Sequence, residues 1–316
     1  MDFKDRKSQV ALISVISNAL LVLGKLGIGL FIGSVAVISE AIHSGVDLLA
    51  SVIALYSVRT SSKPADRGHP FGHGKVENIS GTIEAALIFL AAGWIIYEAI
   101  QKFVQPEPME RPMLGFGVML LSTITNTIVS RMLFKVGRET DSVALLADAW
   151  HLRTDVYTSA GVMAGLAFIS VGAWLFPSYN LLWLDPLFAM VVALLIIKAA
   201  YDLTVQSARD LLDASLPADE EDWIRKFLES QKGAINGYHD LRTRKAGHFR
   251  FVEFHIQVDP QMSVAVSHEL TEELCIAIKG RMLHSTVTIH VEPCTRECND
   301  KCLAGCLLSS DEKNLR

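Results

Sequence analysis

The sequence predicts an α-helical membrane protein of six transmembrane helices carrying a small C-terminal α+β domain of αββαβ order, and three observations predict it. Half of the 316 residues are hydrophobic, more than one water-soluble core of this size requires. Six apolar stretches, near 10–33, 36–58, 79–104, 113–134, 143–173 and 181–205, reach the roughly 20 residues that a bilayer core demands. Beyond Asp213 the composition turns soluble, with helical spacing and strict alternation taking the place of long apolar runs.

The elements follow in order. MDFKDRKSQ mixes both signs of charge, and the apolar run after it is too long for the core of a signal peptide, so a retained first span is expected. Six spans place both termini on one side. Lys4, Arg6 and Lys7, the loop holding Arg59, Lys63, Arg67 and Lys75, and the loop holding Arg131, Lys135 and Arg138 outweigh the sparse 102–111 turn and the turn SYNLLW, which has no Lys or Arg. The positive-inside rule therefore assigns both termini to the cytoplasm. Short loops and compact termini favour a bacterial inner (plasma) membrane over an organelle. A net charge of −5 indicates no attraction to nucleic acid; the partners expected are the lipid bilayer and metal ions.

In the soluble part, PADEEDWIRKFLES has helical spacing, HDLRTRKAGHFRFVEFHIQVD alternates as two strands, SVAVSHELTEELCIAIKGRML is amphipathic, and STVTIHVEP alternates again. That αββαβ order predicts one sheet with two helices on one face, a ferredoxin-like α+β layer. The expected divisions are a cytoplasmic tail over 1–8, a membrane domain over 9–208, a cytoplasmic metal-binding domain over 209–293 and a cysteine-rich tail over 294–316.

Two of the apolar stretches carry matched ionisable pairs. His43 and Asp47, and likewise His151 and Asp155, are four residues apart, so each pair shares a helix face. Such groups are costly at membrane depth; they face a bundle interior and mark an ion path. Two imidazoles and two carboxylates make a four-coordinate set suited to Zn²⁺, and the carboxylates cancel the ion's charge. Because the ligands must be deprotonated to bind, the arriving ion expels protons, and histidine titrates near neutral pH. Exchange of metal for protons at one site is antiport.

The motifs AIHSGVD and DAWHLRTD, six spans and the αββαβ tail together resemble the cation diffusion facilitator family of divalent-metal/proton antiporters, over about residues 8–293. The resemblance implies a homodimer that alternates between inward- and outward-facing states and exports metal. It implies His43, Asp47, His151 and Asp155 as the transport site. It also implies zinc as cargo, because members with Asp-x3-Asp on both helices are associated with manganese, which favours oxygen ligands. Iron, cobalt, cadmium and manganese stand as alternates.

Further candidates lie outside the spans. In KPADRGHPFGHGKVEN, Asp66, His69 and His73 have ligand chemistry and resemble the family's loop metal site, while Arg67 and Lys75 suit the other reading, a basic loop holding lipid phosphates. In the soluble domain His290 and Glu292 share one side of the last strand, and His255 joins them if its strand is adjacent. With His239 and His268 they match, by resemblance, a binuclear site at the dimer interface, with bound Zn²⁺ in a structural or regulatory role. Cys294, Cys298, Cys302 and Cys306 recur every four residues. A helix would string them over about 18 Å, so thiolate metal capture needs a looped tail or neighbouring pairs; a redox-sensitive or merely tolerated tail is the other reading.

Asn18 and Asn126 either line the path or bond across helices, and Lys25, Glu84, Glu98 and Lys198 are expected to snorkel or pair. Two rival functions remain. A membrane-anchored metal sensor does not require four ionisable groups at membrane depth. An intramembrane metallohydrolase requires a general base beside an open metal position, and no HExxH occurs. A secondary transporter rather than an enzyme is the expected class.

Overall fold

The computed structural model describes residues 3–32, 35–104, 112–175, 183–296 and 303–309. The chain forms two compact units, Met1–Ala208 and Arg209–Arg316. The first holds six long helices: α1 (Phe3–Ile32), α2 (Val35–Ser61), α3 (Lys75–Val104), α4 (Pro112–Glu139), α5 (Val143–Leu175) and α6 (Leu184–Leu211). The shortest has 27 residues and is about 40 Å long at 1.5 Å per residue. Over the described residues α1, α2, α3 and α6 contain four spans long and apolar enough to cross a bilayer. The described parts of α4 and α5 carry more charge, with Arg131, Lys135, Arg138 and Glu139 on one and Asp148, Arg153 and Asp155 on the other.

The packing of this unit is inverted relative to a protein in water. Leu20, Leu23, Leu30, Leu90, Leu194 and Leu195 are exposed, whereas Ser14, Asn18, Ser51, Ser61, Glu77, Asn78, Ser130 and Asp148 are buried with many alanines. Leucine gains nothing by leaving a lipid-like environment, while small residues let helix backbones approach and polar ones bond across them. The apolar outer surface makes this unit an integral membrane domain.

A buried ionic knot ties the helix ends together. Glu77, at the start of α3, is fully buried and takes Lys7 Nζ from α1 at 3.3 Å, the Ser61 hydroxyl from the end of α2 at 2.7 Å and the Ser142 hydroxyl just before α5 at 2.6 Å. Lys7, read from sequence as one of several cytoplasmic cations, is only 3% exposed. Beside it Arg6 pairs with Glu139 of α4 at 2.8 Å on the surface.

The second unit comprises α7 (Ala218–Ser230), β1 (Gly237–Ala246), β2 (Phe249–Val258), α8 (Val264–Arg281) and β3 (Ser285–Pro293). β2 is central, antiparallel to β1 and parallel to β3. Alternation sends Val252, Phe254, Ile256 and Val258 of β2 into a core with Ile224 and Leu228 of α7 and Leu274 and Ile278 of α8. The odd-numbered residues of β2, His255 among them, face the other side. Ser263 caps α8 by accepting the Val266 amide.

Candidate metal centres

His43 and Asp47 sit eight and twelve residues into α2; His151 and Asp155 sit at the same distances into α5. The two helices meet in opposite directions, so each histidine faces the other helix's aspartate. His151 Nε2 is 3.2 Å from Asp47 Oδ1, and His43 Nε2 is 3.9 Å from Asp155 Oδ1. Ligand atoms of His43, Asp47 and Asp155 lie within 4.8 Å of one another, and His151 joins through Asp47. Asp47 and His151 are buried at 5% and 4%, while the His43 side chain is half exposed.

The surrounding polar residues divide by what they reach. Asn126 of α4 donates to Asp155 Oδ2 at 3.4 Å, whereas Asn18 of α1 reaches the Asp47 backbone carbonyl and the Ser51 hydroxyl. Of these two asparagines, Asn126 therefore touches a candidate ligand atom and Asn18 does not, among the described residues. Lys25 is buried and donates to the Ser44 hydroxyl at 2.7 Å, one residue from His43. Two buried carboxylates escaped the sequence reading in whole or part. Among the described residues Asp148, one turn before His151, is fully buried with neither oxygen hydrogen-bonded, and Glu84, read as snorkelling or paired, is fully buried and accepts only from Ser80 at 3.1 Å.

The loop between α2 and α3 folds around one carboxylate. Asp66 Oδ1 accepts the amides of His69 and Gly68 at 2.7 and 2.8 Å, and its two oxygens lie 3.4 Å from His69 Nδ1 and His73 Nε2. The His69 amide first, and the Gly68 amide and nearby His73 with it, hold the Asp66 carboxyl below the usual carboxylate range against an opposing desolvation. Gly72 bends the chain at φ +83°, a conformation open to residues without a Cβ, and this lets His73 return to the same carboxylate. The three side chains offer ligand atoms within 4.8 Å of one another.

In the second unit, strand register makes a row. His239 pairs with His255 across β1 and β2, and His255 pairs with His290 across β2 and β3. Glu292 lies 2.9 Å from His239 Nε2, 3.0 Å from His255 Nδ1 and 3.6 Å from His290 Nε2. Burial alone would raise the Glu292 carboxyl, but the hydrogen bonds and charge of His239 and His255 outweigh it and pull it below its ordinary value. Asp240 joins this group, with its carboxylate 3.5 Å from His239 Nδ1. A bulge between His239 and Arg242 breaks the alternation there, so His239 and Asp240 present ligand atoms together. His268 is exposed on α8, and no metal-ligating group among the described residues includes it.

Of the tail cysteines, Cys298 and Cys302 lie outside the described residues. Cys294 is buried directly after β3, and Cys306 is half-buried where a short bridge joins it to Gly237.

The comparisons with known proteins agree with this architecture. The cation efflux transmembrane domain family matches residues 11–212, and the cation efflux protein cytoplasmic domain family matches 216–294. The uncharacterized transporter sll1263 of Synechocystis sp. is 36% identical over 280 residues, covering 88% of each chain. The cation-efflux pump FieF of Cronobacter sakazakii is 32% identical over 294 residues, covering 93% of this chain and 95% of its own. A solved chain of CzrB in its zinc form is 38% identical at a TM-score of 0.26, covering 27% of this chain and 96% of that one. With both of its units matched and relatives aligned over nearly their whole length, the chain belongs to the cation diffusion facilitator family and is a cation efflux transporter of the membrane.

Proposed function

We propose that the chain exports a divalent metal ion, zinc first, from the cytoplasm in exchange for protons, as a homodimer working by alternating access. The observation that carries this reading is the crosswise meeting of His43 with Asp155 and His151 with Asp47. Two imidazoles and two carboxylates give a tetrahedral donor set with two negative charges, so the loaded site is neutral. Mixed nitrogen and oxygen ligation favours zinc over manganese. In the empty state the same histidines and aspartates take up protons, which the next ion expels. In this reading α1–α6 all cross a bacterial inner membrane, both termini lie in the cytoplasm, and the αββαβ unit is a ferredoxin-like layer lacking the first strand of βαββαβ.

The test is reconstitution into liposomes with a pH-sensitive dye inside and metal added on one side. Zinc should drive proton movement, and ionophore-collapsed vesicles should show none; zinc uptake without any proton signal would remove the antiport assignment. Replacing His43 with Asp exchanges a nitrogen ligand for oxygen. His43→Asp should shift initial rates towards manganese or cadmium relative to zinc by about tenfold, since one ligand's preference is worth on the order of 1.4 kcal/mol. An unchanged ratio counts against His43 as a ligand.

The cytoplasmic unit is read as a regulatory metal centre built on His239, His255, His290 and Glu292, with Asp240 beside them. Glu292 contacts a histidine on each of the three strands, so its loss should weaken the whole group. In the full chain with the transport site silenced by Asp47→Asn, Glu292→Gln is expected to lower zinc affinity at this unit about tenfold or more. Titration calorimetry measures it. Affinity of the parent should also rise with pH, because protons compete with metal for the same ligand atoms. A pH-independent affinity would rule out histidine ligation there.

A further inference from the structure

We propose that the groove between α4 and α5 binds the phosphodiester headgroup of an anionic phospholipid. The groove, about 570 Å³, is lined by Arg131, Phe134, Lys135 and Arg138 of α4 and by Trp150, Arg153 and Tyr157 of α5. Spacing explains the lining. Residues 131, 135 and 138 form one stripe of α4, and 150, 153 and 157 form one stripe of α5. The helices run back to back through the short turn at Thr140–Ser142, so the stripes confront each other.

Four cations therefore face one groove with no acidic residue among the described residues of its lining. Glu139, the nearest carboxylate in sequence, is engaged by Arg6 at 2.8 Å. Among the described residues Arg131, Lys135, Arg138 and Arg153 form no ion pair, and the Arg153 Nε lies buried without a hydrogen-bond acceptor. The Phe134 ring holds two of the guanidinium groups, Arg153 at 5.3 Å and Arg138 at 5.5 Å from its centroid, and packs edge-on against Trp150. A ring face orients guanidinium but accepts no N–H in the way an oxygen does, so the planar forks remain available to an oxyanion.

The ligand's class follows from the groove's charge and position. Divalent cations, the transporter's cargo, are repelled by four positive groups, so the groove is no part of their path. It lies in the last turns of α4 and the second to fourth turns of α5, about 12 Å of helix from the connecting turn to Arg131 and about 15 Å to Arg153. On the orientation proposed above this is the cytoplasmic leaflet's headgroup level, where basic grooves between helices take anionic lipid. Trp150 suits the same level, with an apolar ring and a polar tip for the glycerol region, and Tyr157 lies about 10 Å further along α5. A lipid bound here would sit on the outer face of the helix whose inner face carries His151.

The test uses the full chain, delipidated in neutral detergent, with native mass spectrometry after adding phosphatidylglycerol or phosphatidylcholine of the same acyl chains. Phosphatidylglycerol is expected to bind about tenfold or more tighter than phosphatidylcholine. Each cation removed should cost about fivefold, so Arg153→Gln and, separately, the Lys135→Gln/Arg138→Gln pair should weaken phosphatidylglycerol selectively, while Lys198→Gln on α6 leaves it unchanged. The parent protein alone decides the source of the phosphate. If inorganic phosphate displaces the lipid at equal concentration, or if the parent does not distinguish the two lipids, the assignment is overturned. Unchanged phosphatidylglycerol binding in both groove variants overturns it equally.

Discussion

Asp47→Asn, reconstituted into liposomes, is expected to lose zinc-driven proton movement down to the level of protein-free vesicles. Asp47 is 5% exposed, and its carboxylate stands 3.2 Å from His151 Nε2; in the proposed site it supplies both a ligand atom and half of the charge that neutralises a divalent ion. Asparagine keeps the shape and one oxygen but removes the charge. The loaded site then holds a net positive charge inside the bundle, and removing one partner of a buried charge set costs about 3–5 kcal/mol. That corresponds to a loss of at least about a hundredfold in occupancy. Asp155→Asn should behave alike, because the two carboxylates have equivalent roles on opposite helices. Asn18→Ala should matter far less, since Asn18 touches the Asp47 backbone and Ser51 rather than a ligand atom. Melting profiles of the purified variants separate loss of transport from loss of fold. Wild-type exchange by folded Asp47→Asn would sink the transport-site assignment.

Glu77→Ala is expected to destabilise the membrane unit more than any other single surface-distant substitution proposed for it. The alanine leaves the Lys7 ammonium 3% exposed without its carboxylate and strips acceptors from the Ser61 and Ser142 hydroxyls. An uncompensated buried charge costs about 3–5 kcal/mol, which at the low end lowers an apparent melting temperature by roughly 6–12 °C. The fluorescence-detected melt of detergent-solubilised protein reads it. The double variant Lys7→Met/Glu77→Leu should recover most of the loss, because apolar groups of similar volume replace an ion pair at little cost. If single and double variants melt alike, the energetic role given to the pair is wrong.

The sequence makes one level of this architecture legible and leaves another hidden. His43 with Asp47 and His151 with Asp155 stand out because ionisable residues four apart in an apolar run have no role in lipid. Their crosswise partnership depends on α2 and α5 being antiparallel neighbours, and no local spacing carries that. Lys7 and Glu77 show the same division more sharply. Each lies at the edge of an apolar run and reads as an ordinary terminal charge; only the convergence of four chain segments makes them interior. The histidine row was half legible. Alternation placed His290 and Glu292 together, while Asp240 depends on a bulge that alternation cannot anticipate. His268 carries the right chemistry but stands exposed on α8, and the two tail cysteines at 298 and 302 remain matters of chemistry alone.

The even division of the proposed transport ligands between α2 and α5 has a mechanical consequence. Each helix owns one imidazole and one carboxylate, so parting the helices offers a bound ion the same incomplete seat on either side. Neither half can keep a dication with two ligands and a single negative charge. The ion has no helix to follow, and a modest separation hands it to water instead of carrying it along. Unloading in such a site is a matter of halving the cage, and the protein needs no device to pull the metal out.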